Sequence, residues 1–476
     1  MQSSVQKGDE TVSLRSLFSA KDMTLGSPWK RIMEFSLPML LGNVAQQLYN
    51  TADSIIVGKF VGDDALSAVG SAMPILNLLL ALFVGISTGA GIVVSQSFGA
   101  KDREGLTKAI GNCIALSALA TAVIMVVGPL VTMPLLTLLG TDPTIIDWCA
   151  QYLNIYFLGI VGFFFYNMLS GVLRGLGDSV SALGFLLLAA ALNVALDLWF
   201  VRRMGVAGVA LATVVSQAIS AVFCYIKLIS MKDLFDLNLK TMKLIPPVAG
   251  RILKIGIPSG ITQAIMATAG MVVLNLTNAM GKTVVACNVI VMRVDGFAMM
   301  PNMTFGQAMS VYTGQNVGAG KFDRVTKGVK QGGILAAAFA TVITAVLLFC
   351  SPVLFGFFTD TQALIALATR MIRIMAVGYI CISITQVLGG VMRGAGDTVS
   401  PMWISIISTI LIRVPVAYLL AYLTRSPEYP HGDPIALFGS LMISWTLGML
   451  ISIVVFSLGK WKKKMYGDRQ ISKENP

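Results

Sequence analysis

Two carboxylates stand where an ionised group is costly: Asp53 and Asp197, each inside a long apolar stretch. Solvating a charge there costs several kcal/mol, so an acid inside such a stretch is a functional candidate by default. Asn43, Gln46, Asn50 and Asp53 recur at spacings of 3, 4 and 3, which lines one face of a helix. Asn193 and Asp197 are four apart and share a face of another. Asp53 lies six residues before Lys59 and Asp197 five before Arg202, so both fall ~8 Å inside the same boundary. Equal depth permits contact, and two acids in contact would share a proton rather than carry two charges. The amide oxygens around them serve a desolvated Na⁺ equally well. The competing reading makes each acid a polar pin, hydrogen-bonded to a neighbouring helix.

The elements that hold these residues are set by composition. Of 476 residues, 55% are hydrophobic and 12% charged, about half the charge of a soluble domain, so most of the surface must face lipid. This excludes a cytosolic enzyme and a nucleic-acid binder, despite a net charge of +12. Cys113, Cys149, Cys224, Cys287, Cys350 and Cys381 sit singly in apolar runs and read as small buried hydrophobes. The single histidine, His431, argues against a His-based metal or catalytic centre, and no P-loop is present, so neither a cofactor nor ATP is expected. The polar segment 1–28 has no signal-peptide core.

Apolar stretches long enough to cross a bilayer occur twelve times. Their approximate limits are 32–57, 66–97, 108–133, 144–171, 180–201 and 206–227, then 252–280, 284–316, 329–354, 362–391, 399–423 and 435–459. Twelve spans put both termini on one side. That side holds 26 of the 35 Lys and Arg and the other only five, which predicts cytoplasmic termini. Most of the +12 is thus a topology signal.

The halves repeat. Gln96-Ser-Phe-Gly-Ala recurs as Gln315-Asn-Val-Gly-Ala, and Arg174-Gly-Leu-Gly-Asp178-Ser as Arg393-Gly-Ala-Gly-Asp397-Thr, both 219 residues later; Pro38 and Pro258 are related by nearly the same offset. Six spans is an even number, so the two units enter the membrane in one direction and should be related by a pseudo-twofold along its normal. The predicted organisation is an N-tail (1–28), an N-lobe (29–227), a basic linker (228–251), a C-lobe (252–459) and a C-tail (460–476). In the R-G-x-G-D loops the arginine stands at a helix C-terminus and the aspartate caps the next helix. As read here, Arg174, Asp178, Arg393 and Asp397 form structural turns.

These residues resemble the multidrug and toxic compound extrusion (MATE) transporters over roughly residues 29–460. The paired R-G-x-G-D loops, the paired Q-x-x-G-A segments and Gln46–Ser54 carry the resemblance. It implies two six-helix lobes in a V and export of organic, often cationic, compounds in exchange for H⁺ or Na⁺. Asp53, Gln46, Asn193 and Asp197 match coupling positions of the DinF-like branch, with Asn50 in the same stripe and Thr213 a looser match. The NorM-like branch uses a carboxylate on the seventh span, and residues 252–280 contain none.

The C-lobe spans hold Arg293, Arg370, Arg373 and Arg413 but only Asp295 as an obvious acid. Arg370 and Arg373 lie near a helix end, where long side chains snorkel. Arg293 and Asp295, two apart, cannot share a helix face and should find partners elsewhere. Two readings stand: a structural network, or a positive cavity that accepts anionic or zwitterionic substrates. Tyr49, Asn167, Arg293, Asp295, Met299, Met303 and Arg413 are the candidate cavity lining, with methionines as an adaptable apolar surface. The expected activity is secondary antiport by a monomer in the inner cell membrane, acting on a small organic substrate. A flippase for a lipid-linked saccharide is the alternative.

Overall fold

The structure, a computed structural model, describes residues 19–427 and 429–465, apart from the side chains at 50, 52–55, 57–58, 63–64 and 66. The described chain is helical throughout. The N-lobe comprises α1 (Pro28–Phe60), α2 (Asp63–Gly99), α3 (Arg103–Leu138), α4 (Ile146–Leu158), α5 (Ile160–Gly175), α6 (Ser179–Met204) and α7 (Val206–Ile229). The C-lobe comprises α8 (Pro246–Ala279), α9 (Lys282–Gly318), α10 (Phe322–Gly356), α11 (Gln362–Ala376) and α12 (Gly378–Gly394). It continues with α13 (Val399–Ser405), a π-helical stretch (Ile406–Ile412), α14 (Arg413–Leu423) and α15 (Ile435–Ser457).

These pieces form twelve membrane-crossing segments in two six-helix lobes. Among the described residues, nine helices and two bent pairs are long and apolar enough to cross a membrane. The segment outside that set is α1, whose stretch 43–53 carries Asn43, Gln46, Gln47, Asn50 and Asp53. The predicted continuous spans at 144–171 and 362–391 are each broken, α4 to α5 by 52° and α11 to α12 by 44°. The breaks fall at Gly159 and beside Gly378, again 219 apart. A Cβ on Gly159 would lie 2.1 Å from Val214 Cγ1 of α7, and one on Gly378 2.7 Å from the Trp445 ring of α15. Each lobe thus presses one helix into its bend. The linker is shorter than predicted, since α7 runs to Ile229 and α8 begins at Pro246. Arg103 pins it by donating to both oxygens of Asp236, and that hydrogen bond holds the Asp236 carboxyl below its usual range.

The lobes meet at the end that carries the termini. There α2 and α8 touch backbone to backbone: a Cβ on Gly85 would lie 2.1 Å from Gly260 N, and one on Gly89 2.6 Å from Gly256 N. Both pairs have small-xxx-small spacing, the pattern that lets helices approach within a bilayer. Two glutamines then cross reciprocally. Gln96 Nε2 donates to Gly394 O at 2.9 Å and Gln315 Nε2 to Gly175 O at 3.2 Å. Each repeated Q-x-x-G-A segment is thereby bonded to the opposite lobe's repeated loop. The stretch 19–27, predicted as plain tail, lies across this seam. Lys21 N donates to Leu176 O of the N-lobe, while on the C-lobe side Gln315 Oε1 accepts from Met23 N and Lys321 Nζ donates to Thr24 O.

Gly85→Leu should drive a branched side chain into the α8 backbone and part the seam, at a cost of about 1–3 kcal/mol or more. In a cysteine-free background, a cysteine replacing Ser310, buried behind the seam, should then react with a membrane-impermeant maleimide added on the terminal side. Protection equal to that in the Gly85 parent would refute this account of the seal.

Candidate functional site

Helices α1, α6 and α7 pack together in the N-lobe and build the predicted acid site. Register sets the level of each group. Gly42 of α1 lies against Leu186 of α6, with a Cβ there 3.4 Å from Leu186 Cδ2. Eleven residues further along each helix, about three turns, stand Asp53 and Asp197. The far ends of the two helices also meet, with the Arg202 guanidinium over the Phe60 ring at 5.0 Å. The backbone of Asp53 is therefore level with that of Asp197, as their equal depth predicts. The side chains of Asn50 and Asp53 lie outside the described residues.

Asp197 and Asn193 are both fully buried. Asn193 Nδ2 donates to Thr213 Oγ1 at 3.3 Å, and Thr213 Oγ1 donates to Val209 O at 3.1 Å. The structure thus gathers Asn193, Asp197 and Thr213 in one dry interior. Asn193 Oδ1 and the nearby Gln217 Oε1 have no hydrogen-bond partner there, and orphaned buried oxygens of this kind are costly. Gln46 sits half-buried on α1. Gln217 escaped the sequence reading, although Thr213 and Gln217 are four apart and share a face of α7.

The C-lobe arginines and acid separate as their spacing predicts. Arg293 is exposed. Asp295 accepts a 2.6 Å hydrogen bond from Tyr379 Oη of α12. Arg413 Nε is buried without a hydrogen-bond partner. Tyr379 was missed because only the fold brings it to Asp295, 84 positions away. Arg370 reaches Asp433 at 3.4 Å on a part-exposed surface.

The cavity candidates scatter. Met303 Sδ accepts from Gln386 Nε2 at 3.2 Å, and Met299 packs against the C-lobe core. Asn167 Nδ2 turns back to Phe163 O on its own helix. Tyr49 is half-buried on α1. Of the cysteines read as buried, Cys350 is exposed and Cys381 half-buried. No cluster of potential metal ligands occurs among the described residues.

Of the two loop aspartates, only the first holds the predicted N-cap position. Asp178 caps α6, accepting from Ser181 N at 2.9 Å. Asp397 accepts from Ser400 Oγ at 2.6 Å, one residue ahead of the Thr398 that caps α13. The loop arginines stand in the last turns of their helices, as predicted, and both line a cavity between the lobes.

A sequence model of the MatE family matches this chain twice, over residues 38–199 and 258–419, once in each lobe. The chain belongs to the MATE family. It is 30% identical over 404 residues to the probable multidrug resistance protein YpnP of Bacillus subtilis, covering 84% of this chain and 90% of that protein. It is 28% identical over 408 residues to the probable multidrug resistance protein YoeA of the same organism, covering 84% and 88%. A solved structure described as the outward-facing conformation of a multidrug resistance MATE family transporter superposes with a TM-score of 0.85. That match is 23% identical and covers 94% of this chain and 99% of the other. As a MATE protein this chain is a multi-pass membrane transporter of the multidrug efflux type, not an enzyme. The saccharide-lipid flippase gains no support from these relatives.

Thr213→Val should strand Asn193 Nδ2 inside the N-lobe of this MATE protein at a cost of about 1–3 kcal/mol. Thermal unfolding of the detergent-purified protein should show a lower midpoint, partly recovered in Thr213→Ser. An unchanged midpoint would mean that this hydrogen bond is not made.

Proposed function

We propose that this MATE protein is a secondary antiporter that exports small organic solutes in exchange for H⁺ or Na⁺. The observation that supports this reading best is the level register of Asp53 and Asp197 across the α1–α6 contact, beside the buried Asn193–Thr213 pair. The proposed coupling set is Asp53, Asp197, Asn193, Gln46, Asn50 and Thr213. A proton or a desolvated Na⁺ entering this set cancels charge that is costly in a dry interior. The same ion then biases whichever lobe arrangement holds the acids more closely together.

The acids in the N-lobe, and the absence of Asp or Glu from residues 252–280, support the DinF-like branch over the NorM-like one. The excess of cations at the terminal side supports cytoplasmic termini in the inner membrane. The glycine and glutamine seam then closes the cytoplasmic side, and rocking of the lobes about the pseudo-twofold would open it. Tyr49, Asn167, Arg293, Asp295, Met299, Met303 and Arg413 are the proposed groups met by substrate along the cleft. The unit of transport is one chain, since each lobe closes on the other.

Proteoliposomes carrying imposed H⁺ or Na⁺ gradients and a panel of fluorescent cations and anions test the reading. One gradient should drive uptake of at least one dye. Asp53→Asn and Asp197→Asn should each abolish gradient-driven uptake while eluting as folded protein. Full transport by both variants would reject the coupling site, and equal transport without either gradient would reject antiport.

A further inference from the structure

The arginines of the two R-G-x-G-D loops have no carboxylate to balance them. Arg174 Nη1 donates back along its own helix to Ser170 Oγ at 2.9 Å, toward the membrane interior and away from the loop. Arg393 makes no hydrogen bond or ion pair among the described residues. The aspartate four residues after each arginine is engaged elsewhere. Asp178 takes Ser181 and lies 4.0 Å from Lys227, and Asp397 takes Ser400 and lies 2.8 Å from Lys464. A lysine from the end of each lobe thus satisfies the acid that would otherwise quench the arginine. Both guanidiniums are left with unused charge.

Both also line one cavity of about 80 Å³ between the lobes. Its wall includes Thr88 of α2, whose hydroxyl donates to Val84 O, and Gln307 and Ser310 of α9, which can each donate as well as accept. Ser310 Oγ is buried without a hydrogen-bond partner, whereas Gln307 is exposed. Each arginine also borders a further pocket inside its own lobe: Arg174 beside Asn43 and Tyr166, Arg393 beside Thr385 and Ser405. The three spaces run from lobe to lobe, with an arginine at each boundary.

We propose that this cavity binds an oxyanion: the carboxylate, sulfonate or phosphate group of an anionic or zwitterionic organic solute. Two guanidiniums that approach from opposite lobes can each fork onto such a group, a geometry in which arginine binds anions well. The volume takes the acidic group itself, while the rest of the molecule extends into the cleft beside Gln307. Because one arginine belongs to each lobe, an anion held by both favours the sealed arrangement over one in which the lobes part. The inference names a substrate class for the exporter and rests on that reading only for what happens after binding.

Binding is measured without transport, so failure of the exporter reading and failure of this site can be told apart. The full chain in phosphatidylcholine nanodiscs is titrated against dansylglycine and its neutral amide, with fluorescence anisotropy as the readout and empty discs subtracted. Wild type should bind the acid at least tenfold more tightly than the amide, and inorganic phosphate should displace the acid alone. Arg174→Gln and Arg393→Gln should each remove most of the preference and leave amide binding unchanged, with Lys at either position restoring part of it. Loss of the preference in phosphatidylglycerol discs, with retention in phosphatidylcholine, would uphold the site and name a lipid headgroup as a competing source of the anion. Equal binding of acid and amide by wild type, or no effect of phosphate, would overturn the proposal even if neither variant folds. Parallel loss of both dyes in folded Gln variants would overturn it too.

Discussion

The close approach of α2 and α8 is the constraint on which the rest depends. Helices in lipid gain nothing from burying apolar surface against one another, so packing must come from contact itself. Gly85 and Gly89 against Gly256 and Gly260 supply that contact by removing every side chain between two backbones. Once the helices touch there, their ends are brought within reach of the opposite lobe. Gln96 and Gln315 can then satisfy the carbonyls of Gly394 and Gly175, which stand at helix C-termini and need donors. The first helix of each lobe also crosses the seam: α1 begins in an apolar cluster with α9 and α10, and α8 begins in the N-lobe core.

Within that frame the two lobes carry opposite chemistry. The N-lobe encloses an acid and amides around α6 and α7. The C-lobe instead holds Asp295 with a tyrosine hydroxyl that donates to it from a neighbouring helix. This difference between the lobes is one that the paired sequence repeat alone would not imply.

Much of this was legible in the sequence, for physical reasons. A bilayer forces runs of apolar residues to helix length, so the number of segments and the repeat could be read directly. The stripe through Asn43, Gln46, Asn50 and Asp53 and the pair Asn193 and Asp197 stood out because polar groups are rare in such runs. The bends at Gly159 and Gly378 did not, because glycine within an apolar run has no single meaning until the pressing residue, Val214 or Trp445, is known. Tyr379 and the crossing glutamines were hidden for a related reason: their partners are distant in sequence, and only packing selects them. The loop arginines stand in the last turns of their helices as read, and the helix dipole accounts for that position, though not for the direction of the side chains.

The π-helical stretch Ile406–Ile412 ends just before Pro415, which has no N–H to continue an ordinary helical ladder. A single wide turn of this kind accommodates one extra residue. The spacing between equivalent positions is 219 at Arg174 and Arg393, but 220 both where the two family matches begin, at 38 and 258, and where they end, at 199 and 419. Counted on that longer spacing, the counterpart of Asn193 is Arg413. On that count a cation stands in the C-lobe where the other half keeps an amide. After duplication of an ancestral six-helix unit, such a slip of register is a short evolutionary route from two identical halves to two with different electrostatic roles.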